Sequence, residues 1–225
     1  MSIESLPNFK VIRKNNQIKE ILTKNLTPGV TVYGEKLVRI GKSEYRVWDP
    51  KRSKLAAAVF KGLDNLNLNS NSTVLYLGAA TGTTVSHISD IVTNGLIFAV
   101  EFSPFVTYNL VLLAEKRKNI LPVFGDANKP EEYYNTVLAS DFLFQDVAQP
   151  NQVEILLKNV RFFLKKNGEA LLSVKARSID ISSKPHKIFS KVNKELSRCF
   201  DDVKQYILDP FEKDHSLFYC KKLKH

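Results

Sequence analysis

Cysteine, histidine and long apolar runs are all scarce in this chain, and each scarcity removes a class of protein. Two cysteines, Cys199 and Cys220, occur in 225 residues. Each sits in an apolar context without metal-ligand spacing, so both read as buried thiols rather than a disulfide. The four histidines, His87, His186, His215 and His225, form no local metal motif, so no metal is expected. No apolar run approaches the roughly 20 residues that a membrane span needs. The opening Met1-Ser2-Ile3-Glu4-Ser5-Leu6-Pro7 lacks the basic-then-apolar form of a signal peptide. The expectation is a cytoplasmic protein with no membrane partner. Internal repeats and low-complexity tails are also missing.

Positive charge is present in excess. The 33 Lys and Arg outnumber the 23 Asp and Glu, for a net charge of +10. Basic residues are densest over 10–24, 36–54 and 184–198. Such an excess favours a polyanionic partner, and nucleic acid comes first because no amphipathic membrane-binding helix is evident. A hydrophobic fraction of 44% suits a globular core, and the length fits one full α/β domain with a small appendage.

Residues 30–40 alternate at a strand-like period, turn at 41–43 and continue over 44–48. They read as part of a small antiparallel β domain at 1–50, ended by Asp49-Pro50, with Trp48 packing at the junction. A second domain spans 51–225. Ser53 is placed to cap a helix over 54–61, stopped by Gly62. Strands are then expected at 74–77, 96–100, 120–124, 141–144 and 170–174. Helices are expected between and after them at 83–92, 104–116, 151–163 and 185–198, the third of these ended by Lys166-Asn167-Gly168. Two β-prone runs, 202–208 and 215–220, close the chain. The alternation implies an α/β fold: a parallel sheet with helices on both faces and one antiparallel edge strand.

The central strands end in Gly78, Glu101, Asp126, Asp146 and Lys175, which this register lines along one sheet edge. Ligands of open parallel sheets bind there. A charged residue often marks a strand end simply because water reaches it, but five functional-looking residues at successive ends, four of them charged, favour a site. Glu101 follows Gly78 by 23 residues, close to the roughly 20 expected of an acid that binds a ribose diol. The turn Gly78-Ala79-Ala80-Thr81-Gly82-Thr83 departs from G-x-G-x-x-G, since Ala80 replaces the glycine that lets a pyrophosphate approach. No Gly-Lys-Ser/Thr follows either. A cofactor with ribose and adenine but no phosphate fits better, which points to S-adenosylmethionine and away from a nicotinamide dehydrogenase.

Six segments carry a resemblance. They are Leu77-Gly78-Ala79-Ala80-Thr81-Gly82-Thr83-Thr84-Val85-Ser86-His87, Ala99-Val100-Glu101-Phe102-Ser103-Pro104, Gly125-Asp126-Ala127, Asp146-Val147-Ala148-Gln149-Pro150, Lys175-Ala176-Arg177-Ser178-Ile179-Asp180 and Glu212-Lys213-Asp214-His215. In order and spacing they resemble fibrillarin, the guide-RNA-dependent ribose 2′-O-methyltransferase, from about residue 30 onward. Tyr45-Arg46-Val47-Trp48 and Arg52-Ser53-Lys54-Leu55-Ala56-Ala57-Ala58 match it upstream. The Gly/Arg-rich N-terminal region of eukaryotic members is missing, so the resemblance is to the short archaeal form and implies cytoplasm rather than nucleolus. Thr81 stands where many members carry Ser.

The resemblance implies a Rossmann-like S-adenosylmethionine-dependent methyltransferase fold with a seven-stranded, mostly parallel sheet. It implies that a ribose 2′-hydroxyl of ribosomal or transfer RNA attacks the methyl carbon of S-adenosylmethionine, leaving S-adenosylhomocysteine. A ribose hydroxyl is a poor nucleophile at neutral pH and needs positioning and help in losing its proton. By motif position the residues for this are Lys54, Asp146, Lys175 and His215. Lys175 would contact the attacking oxygen as base or as stabiliser of a developing alkoxide, and Asp146 would orient it. Lys54 would add positive potential. His215 would hydrogen-bond within the set or to RNA, or simply pack at the start of a strand.

For the cofactor, Gly78 and Ala79 form the turn, while Thr83 and Thr84 offer N–H groups and hydroxyls at a helix start. Glu101 suits the ribose, Phe102 the adenine face, and Asp126 and Ala127 the adenine edge. Asp146, Val147, Ala148 and Gln149 would close the methionine side. His87 reads as a helix residue behind the turn, and His186 and His225 as surface residues. Implied partners are a box C/D guide RNA, a Nop-type scaffold protein (Nop5, Nop56 or Nop58-like) and an L7Ae-like kink-turn-binding protein. Two other readings stand beside this one: a stand-alone methyltransferase acting on a protein (glutamine) or small molecule, and a non-catalytic RNA-binding scaffold on the same fold. The scaffold reading predicts loss of Asp146 or Lys175, and both are present.

Overall fold

The computed structural model describes residues 2–64 and 66–223, so His225 lies outside the described residues. Two sheets organise them. The first is antiparallel and five-stranded, ordered β1 (Ser2–Ser5), β2 (Lys10–Lys14), β3 (Gln17–Lys24), β5 (Ser43–Val47), β4 (Leu37–Ile40). Its β2–β3 hairpin turns at Asn15 and Asn16, both at positive φ, the backbone that a two-residue turn requires and asparagine tolerates. Residues 30–36 do not continue β4 as the alternation predicts. The Glu35 carboxylate instead accepts hydrogen bonds from the Val32 and Tyr33 N–H groups and from Arg46, folding the segment into a tight turn.

The second sheet has seven strands in the order β11 (Phe200–Ile207), β12 (His215–Leu223), β10 (Leu164–Lys175), β9 (Ser140–Gln145), β6 (Thr73–Leu77), β7 (Leu96–Glu101), β8 (Ile120–Phe124). Strands β6 to β10 pair in parallel, whereas β12 runs antiparallel to both β10 and β11. The reversed strand is thus β12, one place in from the edge, and β11 forms the edge itself. The helix before β10 ends at Phe163. Lys166, Asn167 and Gly168 lie within the strand, where the register against β9 shifts between Leu164 and Glu169.

Helices cover both faces. Side chains alternate across each strand, so Val74 and Tyr76 face one core while Leu75 and Leu77 face the other. The first core receives α1 (Lys54–Phe60), α2 (Thr83–Ile91) and α3 (Pro104–Lys116), together with Phe9, Val11, Ile21 and Trp48 from the first sheet and its exit. The second receives α4 (Gln152–Phe163) and α6 (Pro185–Cys199). A short helix, α5 (Ala176–Ile179), leaves β10 directly. Cys220 is buried and burial pushes its thiol pKa up, whereas Cys199 is only half-buried; both are free. No helix among the described residues is long and apolar enough to cross a membrane.

The first sheet and α2 meet through buried charge. Arg46 pairs with Glu35 and, at 2.9 Å, with Asp90, and Arg117 holds the other Asp90 oxygen at 2.7 Å. Thr23 donates to Asp90 at 2.7 Å, so its oxygen accepts from His87 Nδ1, also at 2.7 Å. That leaves His87 Nε2 to accept from the Tyr33 hydroxyl at 2.8 Å. Trp48 stacks on the imidazole with ring centroids 4.9 Å apart. His87 is therefore a joint residue in the middle of the molecule, and its burial beside Arg46 and Arg117 pushes its pKa well down.

Candidate active site

The turn between β6 and α2 puts its glycines under two constraints. Gly78 has φ +78°, and a Cβ there would come within 2.5 Å of the Asp146 carbonyl oxygen. Gly82 caps α2 at φ +89°, and its Cβ would run into Leu113. Only glycine meets both demands at each position. The Gly78 and Ala79 N–H groups donate to the Val100 carbonyl, and the Asp146 N–H donates to the Leu77 carbonyl. These bonds draw the three strand ends together.

They enclose a cavity of about 510 Å³ outside the carboxyl ends of β6, β7, β8 and β9. Gly78, Glu101, Phe102, Asp126, Ala127, Asp146, Val147, Ala148 and Gln149 line it, all of them expected from the sequence. Three of the expected residues do not. Ala79 turns its methyl into the first core, because the turn points it inward. Thr83 faces a separate cleft between residues 27–33 and α3. The Thr84 hydroxyl donates to Ser53 at 3.0 Å beneath the site.

Ala80, Asn128 and Ile155 also line the cavity and were missed. Ala80 takes φ +49° and its N–H donates to Glu101 at 2.9 Å. The other Glu101 oxygen accepts from the Ser103 N–H at 2.9 Å. Each carboxylate oxygen keeps a lone pair for a diol. Asp126 accepts from the Asn128 N–H at 2.9 Å, and Asn128 accepts from Asn151 at 2.9 Å, which ties the cavity floor to the start of α4. An Asp in a turn commonly accepts from the backbone N–H two residues on, but nothing local told that Asn151 would reach Asn128.

The lining holds three carboxylates and no lysine or arginine, in a chain carrying +10. That charge balance welcomes a cation and repels phosphate. Asp146 forms an ion pair: Lys54 Nζ lies 2.9 Å from its Oδ2, both side chains about three-quarters covered. Burial lowers the Lys54 pKa, but the charge and hydrogen bond of Asp146, helped by Glu212, outweigh it and the net shift is upward. Lys54 therefore keeps its proton at neutral pH.

Lys175 and His215 are paired directly across β10 and β12, so both side chains leave the same face, the one that also carries Leu171 and Leu217. This is the face covered by α1, from whose first residue Lys54 projects. Lys175 is exposed, and His215 is half-buried. His215 Nδ1 lies 2.7 Å from the Lys213 carbonyl, which only accepts, so Nδ1 carries the hydrogen. When neutral, the ring presents Nε2 as an acceptor. His186 is exposed on α6, and among the described residues no His, Cys, Asp and Glu cluster would hold a metal.

A sequence model of the fibrillarin family matches residues 3–224. The "Fibrillarin-like rRNA/tRNA 2′-O-methyltransferase" of Thermococcus onnurineus is 49% identical over 96% of each chain. The structure of Aeropyrum pernix fibrillarin in complex with natively bound S-adenosyl-L-methionine superposes with a TM-score of 0.85 at 41% identity, covering 98% of both chains. A fibrillarin from a fibrillarin/Nop5p complex superposes with a TM-score of 0.87 at 43% identity, covering 98% of this chain and 100% of that one. With its cavity, its carboxylate set and these relatives in agreement, the chain belongs to the fibrillarin family.

Proposed function

We propose that this protein is an S-adenosylmethionine-dependent 2′-O-methyltransferase of ribosomal and transfer RNA, working in the cytoplasm as the catalytic subunit of a box C/D ribonucleoprotein. The observation that carries this reading is the acid-lined cavity beside the Lys54–Asp146 pair, in a chain that is otherwise basic. The residues present fit the cofactor. Glu101 suits a ribose diol, Phe102, Ala127 and Ile155 suit the flat adenine, and Asp146 suits a cationic centre. When bound, S-adenosylmethionine supplies an electrophilic methyl group on a positively charged sulfur.

The chain's own residues do the rest. Lys54, held protonated by Asp146, sets a positive potential where an alkoxide would develop. Lys175 contacts the attacking 2′-oxygen. His215, with Nδ1 committed to the Lys213 carbonyl, offers Nε2 to a hydroxyl proton or to the RNA. The basic exterior contacts phosphates without reading sequence. Target choice therefore falls to a guide RNA, with a Nop-type scaffold holding the enzyme and an L7Ae-like protein anchoring the kink-turn. The boundary near residue 50 belongs to this reading: 1–50 carries the small sheet and 51–225 the methyltransferase.

The test combines the protein with scaffold and kink-turn proteins, a guide, a complementary RNA and methyl-labelled cofactor. Label appears at one guide-specified ribose. Lys175→Ala lowers the rate by more than about a hundredfold, the scale of lost acid–base or oxyanion assistance, while cofactor affinity survives. Label on unguided RNA or on protein overturns the reading.

A further inference from the structure

Lys54 opens a helix of only seven residues, too short to hold itself together in water. Its position must be fixed from outside. Ser53 caps that helix, its hydroxyl oxygen accepting from the Ala56 N–H at 3.3 Å. The same oxygen accepts a second hydrogen bond, from the Thr84 hydroxyl at 3.0 Å. Thr84 thus spends its one hydrogen on Ser53.

Ser53 and Thr84 are both buried. A hydrogen-bonded pair of hydroxyls therefore joins the first turn of α2 to the start of α1, one residue before the lysine that pairs with Asp146.

We propose that Thr84, acting through Ser53, is a positioning residue for methyl transfer: it fixes the start of α1 and so holds Lys54 against Asp146. This rests on the methyltransferase reading above and adds residues that lie outside the cavity lining. It also changes the reading of Thr84, whose hydroxyl serves the catalytic pair rather than the methyl donor.

The experiment uses the assembled ribonucleoprotein with a complementary RNA, and measures kcat for guided methylation, KM for RNA and the Kd of S-adenosylmethionine. Thr84→Val keeps the shape and removes the hydroxyl. Its kcat should fall by about tenfold to a hundredfold, the scale on which a displaced group costs rate, with cofactor Kd and RNA KM within about twofold of the parent. Thr84→Ser restores the hydroxyl and should restore kcat. Ser53→Gly removes the acceptor while glycine remains a tolerated cap, and should reproduce the Thr84→Val loss, so the proposal stays testable should Thr84→Val fold poorly. Parent-like kcat in Thr84→Val or Ser53→Gly overturns the proposal. So does a loss of cofactor affinity that matches the loss of rate, which would make Thr84 a cofactor contact. A parent complex that fails to label the guided ribose removes the methyltransferase reading, and the positioning role with it.

Discussion

Two regions of this molecule use charge in opposite ways. At the joint between the first sheet and α2, Arg46, Glu35, Asp90 and Arg117 are almost wholly buried and each carboxylate is saturated with donors. At the carboxyl end of the second sheet, Lys54 and Asp146 share one contact, Lys175 reaches into solvent and His215 Nε2 is left open. The joint is a closed account of two positive and two negative groups with a neutral imidazole between them. The carboxyl end of the second sheet leaves donors and acceptors open, as the proposed function requires. Buried pairs are costly to break but need not stabilise relative to an apolar core. The joint's value is therefore orientation: it locks α2, which carries Thr84 and follows the glycine turn, against the N-terminal sheet.

This contrast is broken most severely at Asp90. Asp90→Asn would leave Arg46 and Arg117 facing one another with Glu35 as their remaining carboxylate, at a cost of about 3–5 kcal/mol. Thermal unfolding should move down by on the order of 10 °C for a chain this size. A shift under about 2 °C would show that the joint holds nothing.

Lys54→Met tests the open side. Removing a partly exposed partner should cost no more than about 1 kcal/mol of stability, while guided methylation falls by at least about tenfold through lost charge stabilisation. Calorimetry and the guided assay on the same preparation decide it. A large stability loss with unchanged specific activity would reverse the two roles assigned here.

His87 makes the joint sensitive to acid. Its folded pKa lies well below the ordinary value, so below about pH 6.5 the unfolded chain takes up a proton that the folded chain refuses. Stability is full above that pH and falls as the pH drops toward the folded pKa, by up to about 1.4 kcal/mol per pH unit from this one group. Denaturant midpoints between pH 7 and pH 5 should show this slope, and His87→Gln should flatten it. An equal slope in the variant would assign the acid sensitivity elsewhere.

Much of the second sheet was legible because local rules and tertiary structure agree there. Ser53 before an Ala-rich run, Pro104 after Ser103 and Asn94-Gly95 between helix and strand mark boundaries that the structure keeps within a residue or so. Lys166-Asn167-Gly168 has a turn-like composition but sits inside β10 as an irregularity, between the pairing of Leu164 with β9 and that of Glu169 with β9 and β12. Residues 30–36 misled for the reverse reason. Their alternation is strand-like, but the Glu35 carboxylate competes for the backbone N–H groups that a strand would use.

The glycine turn, the acids at strand ends and the lysine closing β10 are properties of the sequence by itself, since small residues and charges at strand ends are set by local backbone geometry and solvation. Only the tertiary structure decided what each side chain faces. Thr84 follows the cofactor turn, yet its hydroxyl spans 31 positions of sequence to reach Ser53. His87 stands in the same motif, yet lies between Thr23, Tyr33 and Trp48. Hydrogen bonds between residues so far apart depend on how the two sheets pack, and no local pattern encodes that.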